Sequence, residues 1–238
     1  MDRRWSVDWN TYLASQRNFI VANIDVRGSG YQGHHHTTSV YGQLGELETG
    51  DLLHVISHLV DSLHYVDRSR VCVWGWSYGG YLAGLLLTRD RTDLISCAIS
   101  VAPVTDWRQY DTAYTEKLMG SPGLYNNWEG YAQASLVRQA ELGNVPSHKL
   151  LLVHGTNDDN VHISHTWALS AALAENDVIF RQQIYPDQGH ALTGVQRHLY
   201  QTLEAFIDDT FGPIEDYFIN DYHQAAALLL EQYQAEVS

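Results

Sequence analysis

The residues Gly75-Trp76-Ser77-Tyr78-Gly79 fit G-x-S-x-G, the spacing of a nucleophile elbow, in which a serine rides on a sharp turn from strand to helix. The context suits that reading, because residues 71–74 form an apolar strand-like run and residues 78–87 a helix-like one. Glycines at 75, 79 and 80 are expected to supply room for the crowded turn. The Tyr78 amide, at the free amino end of the helix, would face the oxyanion of a tetrahedral intermediate. A serine hydroxyl is a weak nucleophile until a base takes its proton and an acid orients the base. In this motif's setting the partners follow in the order serine, acid, histidine. Asp158 comes shortly after an apolar run at 150–154, and His190 follows a run at 178–184 through Pro186-Asp187-Gln188-Gly189. Asp159 competes for the acid's role, and His162 and His165 for the base's, although either histidine would leave His190 without a purpose. Taken singly, Asp158 reads equally well as a turn residue and His190 as a loop histidine; their order together favours catalysis.

These side chains converge only if the elements bearing them form one sheet. Short apolar runs at 19–24, 71–74, 95–101, 150–154 and 178–184 alternate with longer amphipathic stretches, the rhythm of an α/β fold with a mainly parallel sheet and helices on both faces. Leu47, Leu52, Val55, Ile56, Leu59, Val60 and Leu63 recur at three- and four-residue steps and predict a helix, with further helices expected at 78–87, 167–175 and 195–206. Residues 120–127 read as a loop. Asp158 and His190 then both lie at carboxyl ends of strands, the edge where open α/β sheets gather their sites. Beyond Gly212-Pro213, an Ala/Leu/Glu/Gln-rich stretch at 224–236 favours helix, which divides the chain into a hydrolase region over 1–211 and a tail over 212–238.

Composition narrows the function further. The 238 residues carry 14 Lys and Arg against 28 Asp and Glu, and a net charge of −14 repels phosphate backbones, so nucleic-acid binding is not expected. No apolar run approaches the ~18 to 20 residues of a membrane span. The amino terminus, Met1-Asp2-Arg3-Arg4-Trp5, lacks the apolar segment of an export signal. Cys72 and Cys97 sit in apolar runs and are expected to be free, buried thiols. His34-His35-His36 has no carboxylate or cysteine at ligand spacing and reads as a solvated loop, not a metal site.

Gly28-Ser29-Gly30-Tyr31-Gln32-Gly33, Gly75-Trp76-Ser77-Tyr78-Gly79-Gly80-Tyr81, Ala102-Pro103-Val104 and the run from His154 to His162 together resemble the dipeptidyl peptidase IV group of the prolyl oligopeptidase family, over about residues 5 to 211. The resemblance implies an α/β-hydrolase fold with Ser77 as nucleophile, Asp158 as orienting acid, His190 as base and the Tyr78 amide as half of an oxyanion hole. It further implies a substrate pocket from Tyr78, Val104, Trp107, Tyr110 and Tyr114, an aromatic box for a proline ring, with Asn160 touching the substrate backbone. Composition by itself would read those aromatics as core. The implied reaction releases amino-terminal X-Pro or X-Ala dipeptides from a peptide substrate, with no metal or organic cofactor.

The same resemblance implies parts that this sequence does not contain: the first strands of the sheet, a β-propeller, a membrane anchor and a tyrosine serving as second oxyanion donor. The chain thus reads as the carboxyl-terminal part of a larger, membrane-anchored or extracellular protein, with dimerisation suggested by the family. Loss of one oxyanion donor removes about 2.7 to 4 kcal/mol of transition-state stabilisation, so an inactive hydrolase is one alternative. Another is a non-catalytic interaction subunit like the dipeptidyl-peptidase-like partners of potassium channels, against which Ser77 argues. An esterase using the same triad is a third. The family cysteine that would pair with Cys97 falls near Thr210, which implies that this disulfide is absent.

Overall fold

The computed structural model describes residues 6–212. Four parallel strands, β1 (Cys72–Trp76), β2 (Cys97–Val101), β3 (Leu150–Gly155) and β4 (Arg181–Tyr185), form one sheet in the order β1-β2-β3-β4. Among the described residues the helices are α1 (Trp9–Gln16), α2 (His34–Thr38), α3 (Glu46–Ser62), α4 (Tyr78–Arg89), α5 (Thr112–Met119), α6 (Trp128–Ala134), α7 (Leu136–Glu141), α8 (Ser164–Glu175) and α9 (Gln196–Phe211). Each parallel pair needs a crossover, supplied by α4, by α5 to α7 and by α8.

The alternation of side chains along the strands builds a core on each face. Ala98, Leu150 and Leu152 turn to one side and pack with Leu85, Leu136, Leu169 and Leu173 from α4, α7 and α8. Cys97, Ile99, Val101, Leu151 and Val153 turn to the other and meet Trp9 and Leu13 of α1 and Leu199, Leu203 and Phe206 of α9. Trp9 stacks on Tyr200 with centroids 5.0 Å apart, while Arg17 pairs with Glu204 and Asp208, which docks α1 along α9. Side-chain caps start several helices: Asp8 accepts from the Thr11 amide, Asp111 from Ala113 and Tyr114, and Ser135 from Arg138.

Three expectations need correction. Residues 19–24 form no strand: Phe19 and Val21 pack against the core, but no neighbouring strand pairs with their backbone, and a strand exists only through its ladder. Cys72 and Cys97 are not free thiols. They are register partners on β1 and β2, with Cα atoms 4.6 Å apart, and form a disulfide, because parallel pairing sets the two side chains directly opposite. His34-His35-His36 opens the single-turn helix α2 rather than a loop, with the His36 ring bonded to the Val26 carbonyl at 2.9 Å. The loop at 120–127 and the helices expected at 47–63, 78–87, 167–175 and 195–206 are present with shifted ends. The helix expected at 224–236 lies outside the described residues. No helix among the described residues is long and apolar enough to cross a membrane.

Candidate active site

Strand β1 ends at Trp76 and α4 begins at Tyr78, leaving Ser77 alone to make the turn. It does so at φ 58° and ψ −117°, a conformation strained for any residue with a side chain. Two hydrogen bonds hold it there: the Ser77 amide donates to the Val101 carbonyl at 2.8 Å, and the Ser77 carbonyl accepts from Tyr81 at 3.0 Å. The turn is tight enough that a Cβ on Gly75 would lie 2.3 Å from the Gly79 carbonyl, and one on Gly80 2.7 Å from the Val101 oxygen. Gly79 corrects the sequence reading, since a Cβ there meets nothing within 4 Å. The Tyr78 amide is the first of α4 and has no intrahelical acceptor, so it is free to donate outward.

Asp158 sits in the turn after β3 and is 2% exposed. Its Oδ1 accepts from the amides of Asn160 at 3.0 Å and Val161 at 2.9 Å, while Oδ2 lies 2.7 Å from His190 Nδ1 and 3.1 Å from His154 Nε2. Burial by itself would raise this carboxyl, but the hydrogen bonds from His154, His190 and Val161 outweigh it and hold it far below the usual carboxylate range. The group therefore remains an anion, as an orienting acid requires.

His190 starts from the β4 side of the sheet, yet its loop crosses back toward β1. The Asn157 amide donates to the Gln188 carbonyl at 3.0 Å, the Asp187 amide to Thr156 Oγ1 at 2.9 Å, and the Trp76 indole to the His190 carbonyl at 2.9 Å. That last bond ties the histidine's backbone to the residue preceding Ser77. The Ser77 hydroxyl makes no hydrogen bond among the described residues, and such a contact is often long before substrate binds. The competing histidines lie elsewhere: His162 accepts from the Ser164 amide, and His165 is buried against Thr105.

The expected pocket residues gather beside the serine. Tyr78 meets Trp107 at 5.6 Å, Trp107 stacks on Tyr114 at 5.9 Å, and Tyr110 meets both Trp107 and Tyr114 edge-on. Trp107 and Val104 are buried beneath, while Tyr110 and Tyr114 reach solvent. The Tyr110 hydroxyl donates to Asn160 Oδ1 at 2.9 Å, linking the aromatic wall to the Asp158 turn. Sequence reasoning missed Glu48, which is buried under this wall and accepts from the Tyr78 hydroxyl. Burial and then the Glu48 carboxylate push that phenol well above its ordinary value, so it stays a donor. The same reasoning assigned no role to His154, which opens the run that resembles the family and stands four residues before Asp158 at the end of an apolar strand.

The fold and the turn at Ser77 define an α/β-hydrolase class of protein, and comparison with known proteins is more specific. A model of the prolyl oligopeptidase family matches residues 5–213, and the chain belongs to that family. Venom dipeptidyl peptidase 4 of Vespa velutina is 39% identical over 207 residues, which is 87% of this chain and 26% of the relative. Prolyl endopeptidase FAP of Homo sapiens is 36% identical over 209 residues, 87% of this chain and 27% of the relative. Among solved structures, dipeptidyl peptidase 4 of Porphyromonas gingivalis superposes with a TM-score of 0.80 at 37% identity, covering 87% of this chain and 29% of that one. The chain thus resembles dipeptidyl peptidase 4 proteins in sequence and structure while spanning about a quarter of the length of the curated relatives it matches.

Proposed function

We propose that this chain carries the hydrolytic centre of a dipeptidyl peptidase, with Ser77 attacking the scissile carbonyl, His190 accepting its proton and Asp158 orienting His190. The observation that carries the reading is the 2.7 Å bond from His190 Nδ1 to Asp158 Oδ2, on a loop anchored through Trp76 beside the strained serine. With Nδ1–H donated to the carboxylate, Nε2 is left as the basic nitrogen. The proton taken from Ser77 passes to the departing amine, and water then releases the acyl group by the reverse sequence. The Tyr78 amide donates to the oxyanion.

Tyr78, Val104, Trp107, Tyr110 and Tyr114 form the pocket for the residue before the scissile bond, and Asn160 contacts the substrate backbone. A flat aromatic wall over a buried floor suits the compact ring of proline, or alanine, and supports X-Pro and X-Ala dipeptides as the acyl part that water releases. Relatives named as venom proteins support an extracellular setting for the protein that carries this chain.

The test uses that whole protein. A fluorophosphonate probe should label Ser77, and a chromogenic proline dipeptide should turn over and cease to do so in Ser77→Ala. Unlabelled Ser77 with no turnover would overturn catalysis; aryl-ester hydrolysis without dipeptide preference would overturn the substrate class.

A further inference from the structure

Two imidazoles share one oxygen of Asp158, and the mechanism above uses only His190. His154 reaches the same Oδ2 from inside the protein at 3.1 Å, with its side chain fully buried. Its Nε2 also lies 2.8 Å from the Val161 carbonyl. A nitrogen facing two acceptors must carry a hydrogen. On the far side of the ring, Nδ1 is 2.7 Å from Thr166 Oγ1, whose hydroxyl can donate to it. Hydrogen bonding therefore selects a ring with its hydrogen on Nε2, aimed at the carboxylate.

We infer that His154 is a positioning residue of the hydrolytic centre, clamping Asp158 from behind and limiting how much of its charge reaches His190. The inference rests on the reading of Ser77, Asp158 and His190 as a triad. The Asn160 and Val161 amides occupy Oδ1, so Oδ2 alone is divided between the histidines. Two donors on one oxygen each draw on the same charge, and each is weaker toward the carboxylate than it would be alone. With His154 in place the carboxylate cannot swing about its Cβ–Cγ bond, and the imidazolium formed during attack is steadied without being trapped.

Of the other ionisable groups around this cluster, His165, Asp106 and Tyr110 are held uncharged or paired, whereas Asp159 is exposed. His165, on α8 next to Thr166, is held down to about 4, chiefly by burial, and so is neutral in the working range. Asp106 is paired with Arg108, and the Tyr110 hydroxyl is raised by burial and stays protonated. His162 is exposed and bonded to the Ser164 amide.

The test is the pH dependence of kcat/KM on a chromogenic proline dipeptide, in the whole protein that carries this chain. His154→Leu should lower kcat by about 10- to 100-fold with little change in KM, well short of the ~10⁴-fold loss when the orienting acid itself is disabled. Its acid limb should move up by about 0.5 to 1 pH unit, because Oδ2 then presents more charge to the protonated base. His154→Gln, whose amide nitrogen can replace Nε2–H, should return the limb toward the parent's position. Thr166→Val removes the Nδ1 partner that helps hold the ring against the carboxylate and should shift the limb in the same direction by less.

An unmoved limb in folded His154→Leu overturns the inference, as does an unmoved limb in Thr166→Val if the leucine variant fails to fold. Ser77→Ala, run alongside, separates the two failures. Full turnover in Ser77→Ala removes the triad and this inference with it, whereas a dead Ser77→Ala beside unmoved limbs removes the role of His154 alone.

Discussion

Substituting alanine at Gly75 and at Gly79 should have opposite effects, although both belong to the same five-residue motif. A Cβ on Gly75 would stand 2.3 Å from the Gly79 carbonyl carbon and oxygen and 2.8 Å from its Cα. Carbon atoms rest at about 3.5 to 4.0 Å, so the first turn of α4 would have to retreat by roughly an ångström or more. The obstacle is backbone, tied to the sheet through the Ser77–Val101 bond, and has no rotamer to change. Overpacking of this kind costs about 1 to 3 kcal/mol and occasionally more, and a clash against backbone belongs at the upper end. Gly79 has open space within 4 Å and lies within α4, where alanine is favoured over glycine by about 0.5 to 1 kcal/mol. At roughly 2 to 4 °C per kcal/mol for a domain of this size, Gly75→Ala should melt about 6 to 12 °C below the parent and Gly79→Ala slightly above it. Labelling of Ser77 by a fluorophosphonate, measured on the same samples, should slow sharply in Gly75→Ala and stay near the parent's rate in Gly79→Ala. If the two variants melt alike, or if Gly75→Ala keeps both its melting point and its labelling rate, the steric account of this turn is wrong.

Two further outcomes follow from the packing. Asp158 has a carboxyl depressed far below its unfolded value of about 3.9, so its contribution to stability is complete above about pH 5 and is lost as pH falls through that value and beyond. The urea midpoint should therefore drop less steeply between pH 5 and pH 2 in Asp158→Asn than in the parent; equal slopes would contradict the assignment. The Cys72–Cys97 bridge closes a loop with a sequence separation of 25 residues, which in the chain-entropy account stabilises by about 3.5 kcal/mol. Alkylation and mass measurement without reductant should find neither thiol free, and Cys72→Ala should lower the unfolding free energy by about that amount. Two alkylated thiols in the native protein would show that the bridge does not form.

Much of the site can be read along the chain because its signals are local. The turn at Ser77 needs glycine on both sides and a strand and helix at its ends, and all of these lie within about one turn of structure from the serine. The short apolar runs that became β2 and β3 are legible for a similar reason: a strand buried on both faces must be apolar at nearly every position, and no neighbour has to be known to see it, whereas β4 carries Arg181, Gln182 and Gln183 and is partly exposed. The run at 19–24 has the same composition and yet forms no strand, because composition records burial and not the presence of a ladder partner.

By itself the sequence determined the G-x-S-x-G turn around Ser77, the order in which Asp158 and His190 follow it, the α/β class and the family, all of which depend on residue type and spacing. Only the tertiary structure decided that Asp158 meets His190, that His154 and Glu48 stand behind Asp158 and Tyr78, and that Cys72 faces Cys97. Those pairings join residues from different strands and loops, and the register of the sheet and the course of the His190 loop set which atoms come within 3 Å. Both arise from packing across the whole domain, and apart from His154 and Asp158, four residues apart, no short stretch of sequence carries these pairings.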